Sequence, residues 1–287
     1  MTRAPRPVLV LGASGRLGRL LRSVWPADRP VRWHARRAMD GFRSCDILKD
    51  ENQLRSLMAG VDTTISLAGV TTASARRTGA PFHENSQLAL CCLQAAQEAG
   101  CKRVLLMSSA AVYGRAAGHL AETDQPVDVS AYGQSKLDME DAALKSSQEG
   151  RVDVCCLRLG NVAGADAALG GWMPEAEMDC FVSGRTPQRS YIGISSLARV
   201  LLALADAQKL PHVLNIAAPQ MVAMGDLLDA ADLAWSPRPA PATAIEEVHL
   251  NTTALSEIFQ FTSSETTPSA MVAQWRSALA RSEAMVP

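Results

Sequence analysis

The chain has 287 residues, 47% hydrophobic and 20% charged, with 28 Lys and Arg against 29 Asp and Glu for a formal net charge of −1. That length suits one large α/β domain with a smaller appendage, and the composition is that of an ordinary globular protein. The near-neutral balance excludes the global basic field that nucleic acid or an anionic membrane surface attracts, and no stretch approaches the ~20 apolar residues that span a bilayer.

The opening MTRAPRPVLVLG lacks the apolar core of a secretory signal. Seven cysteines (Cys45, Cys91, Cys92, Cys101, Cys155, Cys156 and Cys180) are odd in number and form no C-x-x-C. Free thiols in a reducing cytoplasm are expected rather than a disulfide framework. The five histidines show no ligand spacing, so no metal is expected.

In chain order, VLVL (8–11) reads as a buried strand running into LGASGRLG (11–18), whose glycines are Gly12, Gly15 and Gly18. A turn of this kind lets backbone N–H groups face a pyrophosphate without Cβ atoms in the way. The helix that follows turns Leu17, Leu20, Leu21 and Val24 inward. PVRWHARR (30–37) is a second strand, FRSCDI (42–47) a short third, and Glu51 to Ala59 a helix. VDTTISLAGV (61–70) is a fourth strand ending at Gly69, and Asn85 to Ala99 a helix stopped by Gly100. CKRVLLMSS (101–109) is nearly continuous in apolar residues, as a buried parallel strand is. A helix from Ser130 to about Lys145 and a strand at 152–160 complete the alternation. It predicts a doubly wound parallel sheet, the Rossmann architecture, with right-handed crossovers.

Beyond Gly160 the rhythm changes. The Gly-, Ala- and Pro-rich 161–190 reads as a loop region covering a substrate, SSLARVLLALADAQK (195–209) as a helix and HVLNIAA (212–218) as a strand. MGDLLDAADLAW (224–235) reads as a helix and PRPAPATA (237–244) as a linker. The expected division is a dinucleotide-binding domain over 1–160 and a small substrate-binding region over 161–287, with about 190–217 returning to the first core.

The chemistry concentrates in SSAAVYG (108–114) and YGQSK (132–136). Tyr132 and Lys136 stand four apart and project from one helix face. An ammonium beside a phenol favours phenolate, which would bring Tyr132 from an unperturbed pKa of ~10 toward use as a general acid or base. Ser109 ends the fifth strand at its carboxyl end, where open α/β sheets bind ligands, and its hydroxyl would hold a substrate oxygen. After VRWHA no acidic residue stands ready for a ribose 2′-OH; Arg36 occupies that place. A guanidinium matches a phosphate in bidentate fashion, so NADP is expected over NAD, with Arg36 on the 2′-phosphate and Arg16 as a second contact.

On these motifs the chain resembles the extended short-chain dehydrogenase/reductases, in particular the NAD-dependent epimerase/dehydratase family, over nearly its whole length. The resemblance places Gly12, Ser14, Gly15, Arg16, Leu17 and Gly18 in the dinucleotide turn. It puts Asp46 and Ile47 beside the adenine, and Leu67, Ala68 and Gly69 in the turn after the fourth strand. Ser109, Tyr132 and Lys136 match the catalytic set, with Tyr132 and Lys136 also on the cofactor, and Asn85 matches a structural asparagine. LRLGNVAG (157–164) and RSYIGISSLAR (189–199) look like the family's substrate segments, implying Asn161 and Arg189 near a substrate phosphate. Ser196 stands where that segment carries aspartate, and Arg238 is the candidate for a late arginine on a diphosphate, in an unusual context.

The implied activity is NAD(P)-dependent oxidoreduction or epimerisation at a secondary alcohol or ketone, foremost of a nucleotide sugar. Ala110 and Ala111 after Ser109 lack the acidic pair of a 4,6-dehydratase. An NADPH-dependent reductase of small ketones or aldehydes, or a non-catalytic dinucleotide-binding protein, are the alternatives. The expected partners are a small-molecule substrate and a second copy in a homodimer, with neither nucleic acid nor membrane.

Overall fold

The computed structural model describes residues 6–116, 118–148 and 152–283, so residues 1–5 of the N-terminal stretch lie outside them. The first half runs β1 (Val8–Leu11), α1 (Arg16–Val24), β2 (Val31–Ala35), β3 (Arg43–Ser44), α2 (Glu51–Met58), β4 (Thr63–Ser66), α3 (Thr72–Thr78), α4 (Glu84–Glu98) and β5 (Arg103–Ser109). A 3₁₀ turn (Ala110–Tyr113) leads to β6 (His119–Leu120), α5 (Ala131–Gln148) and β7 (Asp153–Leu159). Then come β8 (Asn161–Val162), β9 (Ala176–Cys180), β10 (Gln188–Ile192), α6 (Ile194–Asp206) and β11 (Val213–Ile216). The chain continues through β12 (Met221–Ala223), α7 (Met224–Ala230), β13 (Trp235–Pro239), β14 (Glu247–Leu250), α8 (Thr253–Ser256) and α9 (Pro268–Glu283).

Seven strands form one parallel sheet in the order β11-β7-β5-β4-β1-β2-β3. The order reverses beside β1, which opens a crevice at the carboxyl ends of β1 and β4. Two apolar layers cover the sheet. Leu20, Leu21 and the α6 residues Leu197 and Leu201 pack on one face, with Leu17 and Val24 partly buried against them. Leu54, Met58, Leu93 and Met139 pack on the other. The central strands are buried on both faces, which is why they read as apolar runs rather than alternations.

The second half departs from the sequence expectation. The stretch 161–190 is not only loop: it contains β8, β9 and the start of β10, and β10 pairs with β8, β12 and β14. The expected linker at 237–244 begins inside β13, which pairs in parallel with β9. Its prolines lack an N–H, which a two-stranded ribbon with open edges tolerates. These strands are two to five residues long, too short for a periodic signal. α3 was also unforeseen: it buries none of its residues and rests on a capping box between Thr71 and Ser74. The helix expected at 224–235 stops at Ala230, two residues before Asp232 at φ 52°.

Beneath the carboxyl end of β5 lies a buried polar network. Glu140 of α5 accepts from Arg158 Nε at 3.2 Å and Nη2 at 2.9 Å, and from the Ser108 hydroxyl at 2.5 Å. Arg158 also donates to the Tyr113 hydroxyl at 3.1 Å and the Glu122 carbonyl at 2.9 Å. Tyr113 in turn donates to Asn215 Oδ1 at 2.7 Å. Removing one member of such a pair strands the other charge without water. Glu140→Ala is therefore expected to cost about 3–5 kcal/mol of folding stability, read as a lower urea midpoint; a loss under about 1 kcal/mol would show the pair to be dispensable.

Candidate active site

The β1–α1 turn is shaped by close backbone approach. Gly12 sits at φ +74°, and a Cβ there would lie 2.7 Å from the Ala68 nitrogen; one on Gly18 would lie 2.4 Å from Ala13. Both glycines are thus required by the protein's own packing. Gly15 is different: it is exposed, and its Cβ would meet only the Gly12 carbonyl at 3.5 Å. It is the N-cap of α1, makes no side-chain cap, and precedes a first turn with no acidic residue. Uncapped amides, a clear approach and the positive end of a helix dipole fit a dinucleotide pyrophosphate.

His34 holds this turn from behind, a role the sequence did not announce. Its Nδ1 accepts from the Gly12 N–H at 3.2 Å while Nε2 faces the Cys45 carbonyl at 3.0 Å. That pairing requires the neutral ring protonated on Nε2, and burial lowers its pKa accordingly.

The remaining dinucleotide candidates line the same edge. Ser14 and Leu17 are half-buried, and Arg16 is exposed with its guanidinium donating to the Asp166 carbonyl at 3.1 Å. Arg36 lies exposed just past β2, with no ion pair among the described residues. Ile47 is buried, and the Asp46 carboxylate accepts from the Leu48 N–H at 3.1 Å. Leu67 and Ala68 are half-buried and Gly69 exposed after β4, close enough that a Cβ on Gly69 would lie 3.2 Å from Lys136 Nζ.

Tyr132 and Ser109 are neighbours, the Ser109 hydroxyl lying near enough to the phenol to act on its ionisation. The same Ser109 oxygen accepts from the Ala111 N–H at 3.2 Å, which fixes its direction. Phe82 leans on Tyr132 with ring centroids 6.0 Å apart, closing an apolar wall that no motif signalled. Asn85 fixes the start of α5: it brackets the Val70 backbone and donates to the Ser135 hydroxyl at 3.0 Å, which donates to the Tyr132 carbonyl at 2.8 Å.

The electrostatics differ from the sequence expectation. Burial raises the Tyr132 phenol above its usual value, opposed only by the nearby Ser109 hydroxyl. Lys136 shares the helix face, but its ammonium donates to the Met107 carbonyl at 2.9 Å and is buried, which pulls its pKa down to about 8. Lys136 is not among the groups that act on the phenol in this arrangement, so desolvation is left to raise it.

Of the expected substrate residues, Asn161 pairs in register with Tyr191, its side chain near that phenol. Arg189 is turned to the main chain, donating to the carbonyls of Gln188, Ile245 and Glu246 at 2.7–3.0 Å. Its described hydrogen bonds reach none of Ser109, Tyr132 and Lys136. Arg238 is held by Asp179 at 2.7 Å and Glu177 at 3.6 Å. Ser196, in the place of the family's aspartate, accepts from Gln274 and donates to Glu265.

A family model for the NAD dependent epimerase/dehydratase family matches residues 8–217, which contain the glycine turn, the Ser109–Tyr132 pair and β11. The chain belongs to the NAD-dependent epimerase/dehydratase family. Among solved structures it is similar to a UDP-glucose-4-epimerase (galE) from Stenotrophomonas maltophila with bound NAD and formylated UDP-arabinopyranose, at 20% identity and TM-score 0.77, over 97% of this chain and 99% of that one. It is also similar to MoeE5 in complex with UDP-glucose and NAD, at 22% identity and TM-score 0.73, over 95% and 99%. A UDP-glucose 4-epimerase from Bifidobacterium longum in complex with NAD+ and UDP gives 16% identity and TM-score 0.76, over 96% and 99%. At these identities the likeness is one of fold. No curated protein matches the chain.

The depressed Lys136 pKa makes stability depend on pH. Between about 8 in the folded state and 10.5 in the unfolded chain, the unfolded form binds more protons, so stability rises with pH across that window and is lost as pH falls through 8. Urea midpoints at pH 7.5 and about 9.5 should rise more for the native chain than for Lys136→Met; equal slopes would show that Lys136 titrates normally.

Proposed function

We propose that this chain is a nicotinamide-dependent enzyme acting at a secondary alcohol or ketone carbon, with a nucleotide sugar as substrate and epimerisation as the reaction. The observation that carries the reading is the proximity of the Ser109 hydroxyl and the Tyr132 phenol at the carboxyl edge of the sheet, one helical turn from buried Lys136. The nucleotide-sugar assignment is supported by the UDP-sugar complexes among the similar structures.

The dinucleotide, when bound, supplies hydride acceptance and return. Gly12, Ser14, Gly15, Arg16, Leu17 and Gly18 would hold its pyrophosphate, and Asp46, Ile47, Leu67, Ala68 and Gly69 would line its adenine and ribose. Ser109 orients the substrate oxygen, while Tyr132 removes and returns the hydroxyl proton. Lys136 would hold the nicotinamide ribose and, brought beside the phenol, would offset the desolvation that raises it. Asn161 and Arg189 would face the substrate phosphate.

Tyr132→Phe keeps the ring and removes the proton carrier. Turnover on a panel of UDP-sugars should fall ~10²-fold or more with dinucleotide Kd little changed. A variant that retains its turnover would remove Tyr132 from the mechanism.

A second reading is a reductase of small ketones. Arg189 and Arg238 favour it, since both guanidinia are engaged by protein oxygens rather than open to a diphosphate. NADPH consumption with a ketone panel, and none with UDP-sugars, would select it.

The dinucleotide is proposed to be NADP, because no carboxylate ends β2 and exposed Arg36 follows it. The similar structures named above hold NAD. Arg36→Ala should weaken NADP binding about ten- to a hundredfold, the worth of a charge-assisted contact, and leave NAD binding unchanged. Tighter binding of NAD by the unmodified chain would refute the NADP assignment.

A further inference from the structure

The turn after β8 is built more firmly than a surface loop needs. Asp166 accepts the Leu169 and Gly170 N–H groups on Oδ1, at 3.1 and 3.4 Å, and the Tyr191 hydroxyl on Oδ2 at 2.5 Å. Tyr191 is fully buried and stands opposite Asn161 in the β8–β10 register. Gly164, at φ +88°, lies so close to Trp275 of α9 that a Cβ would overlap the indole. The turn is thus fixed on its inner side by Tyr191 and Trp275.

Toward the glycine turn, one side-chain bond reaches it: Arg16 donates Nη1 to the Asp166 carbonyl at 3.1 Å. Arg16 opens α1, followed one turn later by Arg19, with no acid in that turn. Cations there oppose the helix dipole, an arrangement that an anion at the helix start reverses. A guanidinium has five donors in a rigid fork. The bond to Asp166 takes one, leaving others for phosphate oxygens.

We infer that Arg16 is a positioning residue that bridges the dinucleotide pyrophosphate to the 163–170 turn, and through Asp166 and Tyr191 to Asn161. Dinucleotide binding then tightens the substrate side of the cleft before substrate arrives. The inference rests on the glycine turn being a dinucleotide site. It gives Arg16 a task different from gripping the 2′-phosphate, and it makes the two halves of the cleft energetically coupled.

Hydrogen exchange of the full chain, with and without saturating NAD or NADP, tests it in peptides covering 10–20 and 163–172. In the native chain both peptides should exchange more slowly with dinucleotide. In Arg16→Ala, whose side chain is exposed, dinucleotide Kd should rise about tenfold; at matched occupancy the 10–20 peptide should still be protected, while 163–172 no longer responds. A purely structural role would alter exchange without ligand but preserve the ligand-dependent difference, and that result overturns the inference. So does a native 163–172 peptide that ignores the dinucleotide while 10–20 is protected. No protection at 10–20 in the native chain would instead defeat the dinucleotide reading, and the inference with it.

Discussion

The ion pair between Glu140 and Arg158 carries the geometry on which the candidate site depends. Both side chains are almost fully buried, so the pair is held by geometry and added hydrogen bonds rather than by charge alone. Glu140 lies one turn beyond Lys136 on α5, and Arg158 stands on β7 opposite Ser108 in the β5–β7 register. The Ser108 hydroxyl closes the triangle. α5 is thereby locked to the strand whose last residue is Ser109, and Tyr132 is brought to it. Through Tyr113 and Asn215 the same network reaches β11 and the Asn251 carbonyl, so the C-terminal region is fastened to the same point.

The edge of the sheet adds a second constraint, a contest between burial and charge. Lys136 and Tyr132 are both desolvated, and burial moves each toward its neutral form. A phenol raised by burial is a poor proton carrier near neutral pH until charges and hydrogen bonds are brought in to oppose desolvation. The site can therefore be tuned by what enters it. His34 shows the same logic in a structural role, since only its neutral form accepts from Gly12.

The cleft is made by two halves of opposite construction. The half that carries the glycine turn is one regular sheet whose turns line one edge. The other half joins segments far apart in the chain: β10 pairs with β8, β12 and β14, and β14 pairs with β6. Arg189, placed on β10, finds its acceptors in Ile245 and Glu246, more than fifty residues away. Here local sequence has little authority, and side chains are committed by whichever backbone the topology brings near.

The amino-acid sequence alone made legible the parallel sheet, the glycine turn and the placing of Tyr132 and Lys136 on one helix face. Each is a local pattern: a continuous apolar strand, glycines at the spacing of a strand-to-helix turn, and residues four apart on a helix. It also marked Ser109 at a strand's end. It left hidden the short strands at 161–192 and 235–250, because two to five residues hold no periodicity. α3 was hidden as well, because it buries nothing. Tertiary assembly set where the long side chains point: Arg16 to Asp166, Arg189 to distant carbonyls, Lys136 to Met107. It also decided that burial, not the neighbouring ammonium, sets the Tyr132 phenol. The reason is physical: solvation and hydrogen-bond partners belong to the surroundings, and surroundings are assembled from chain segments that sequence spacing does not bring together.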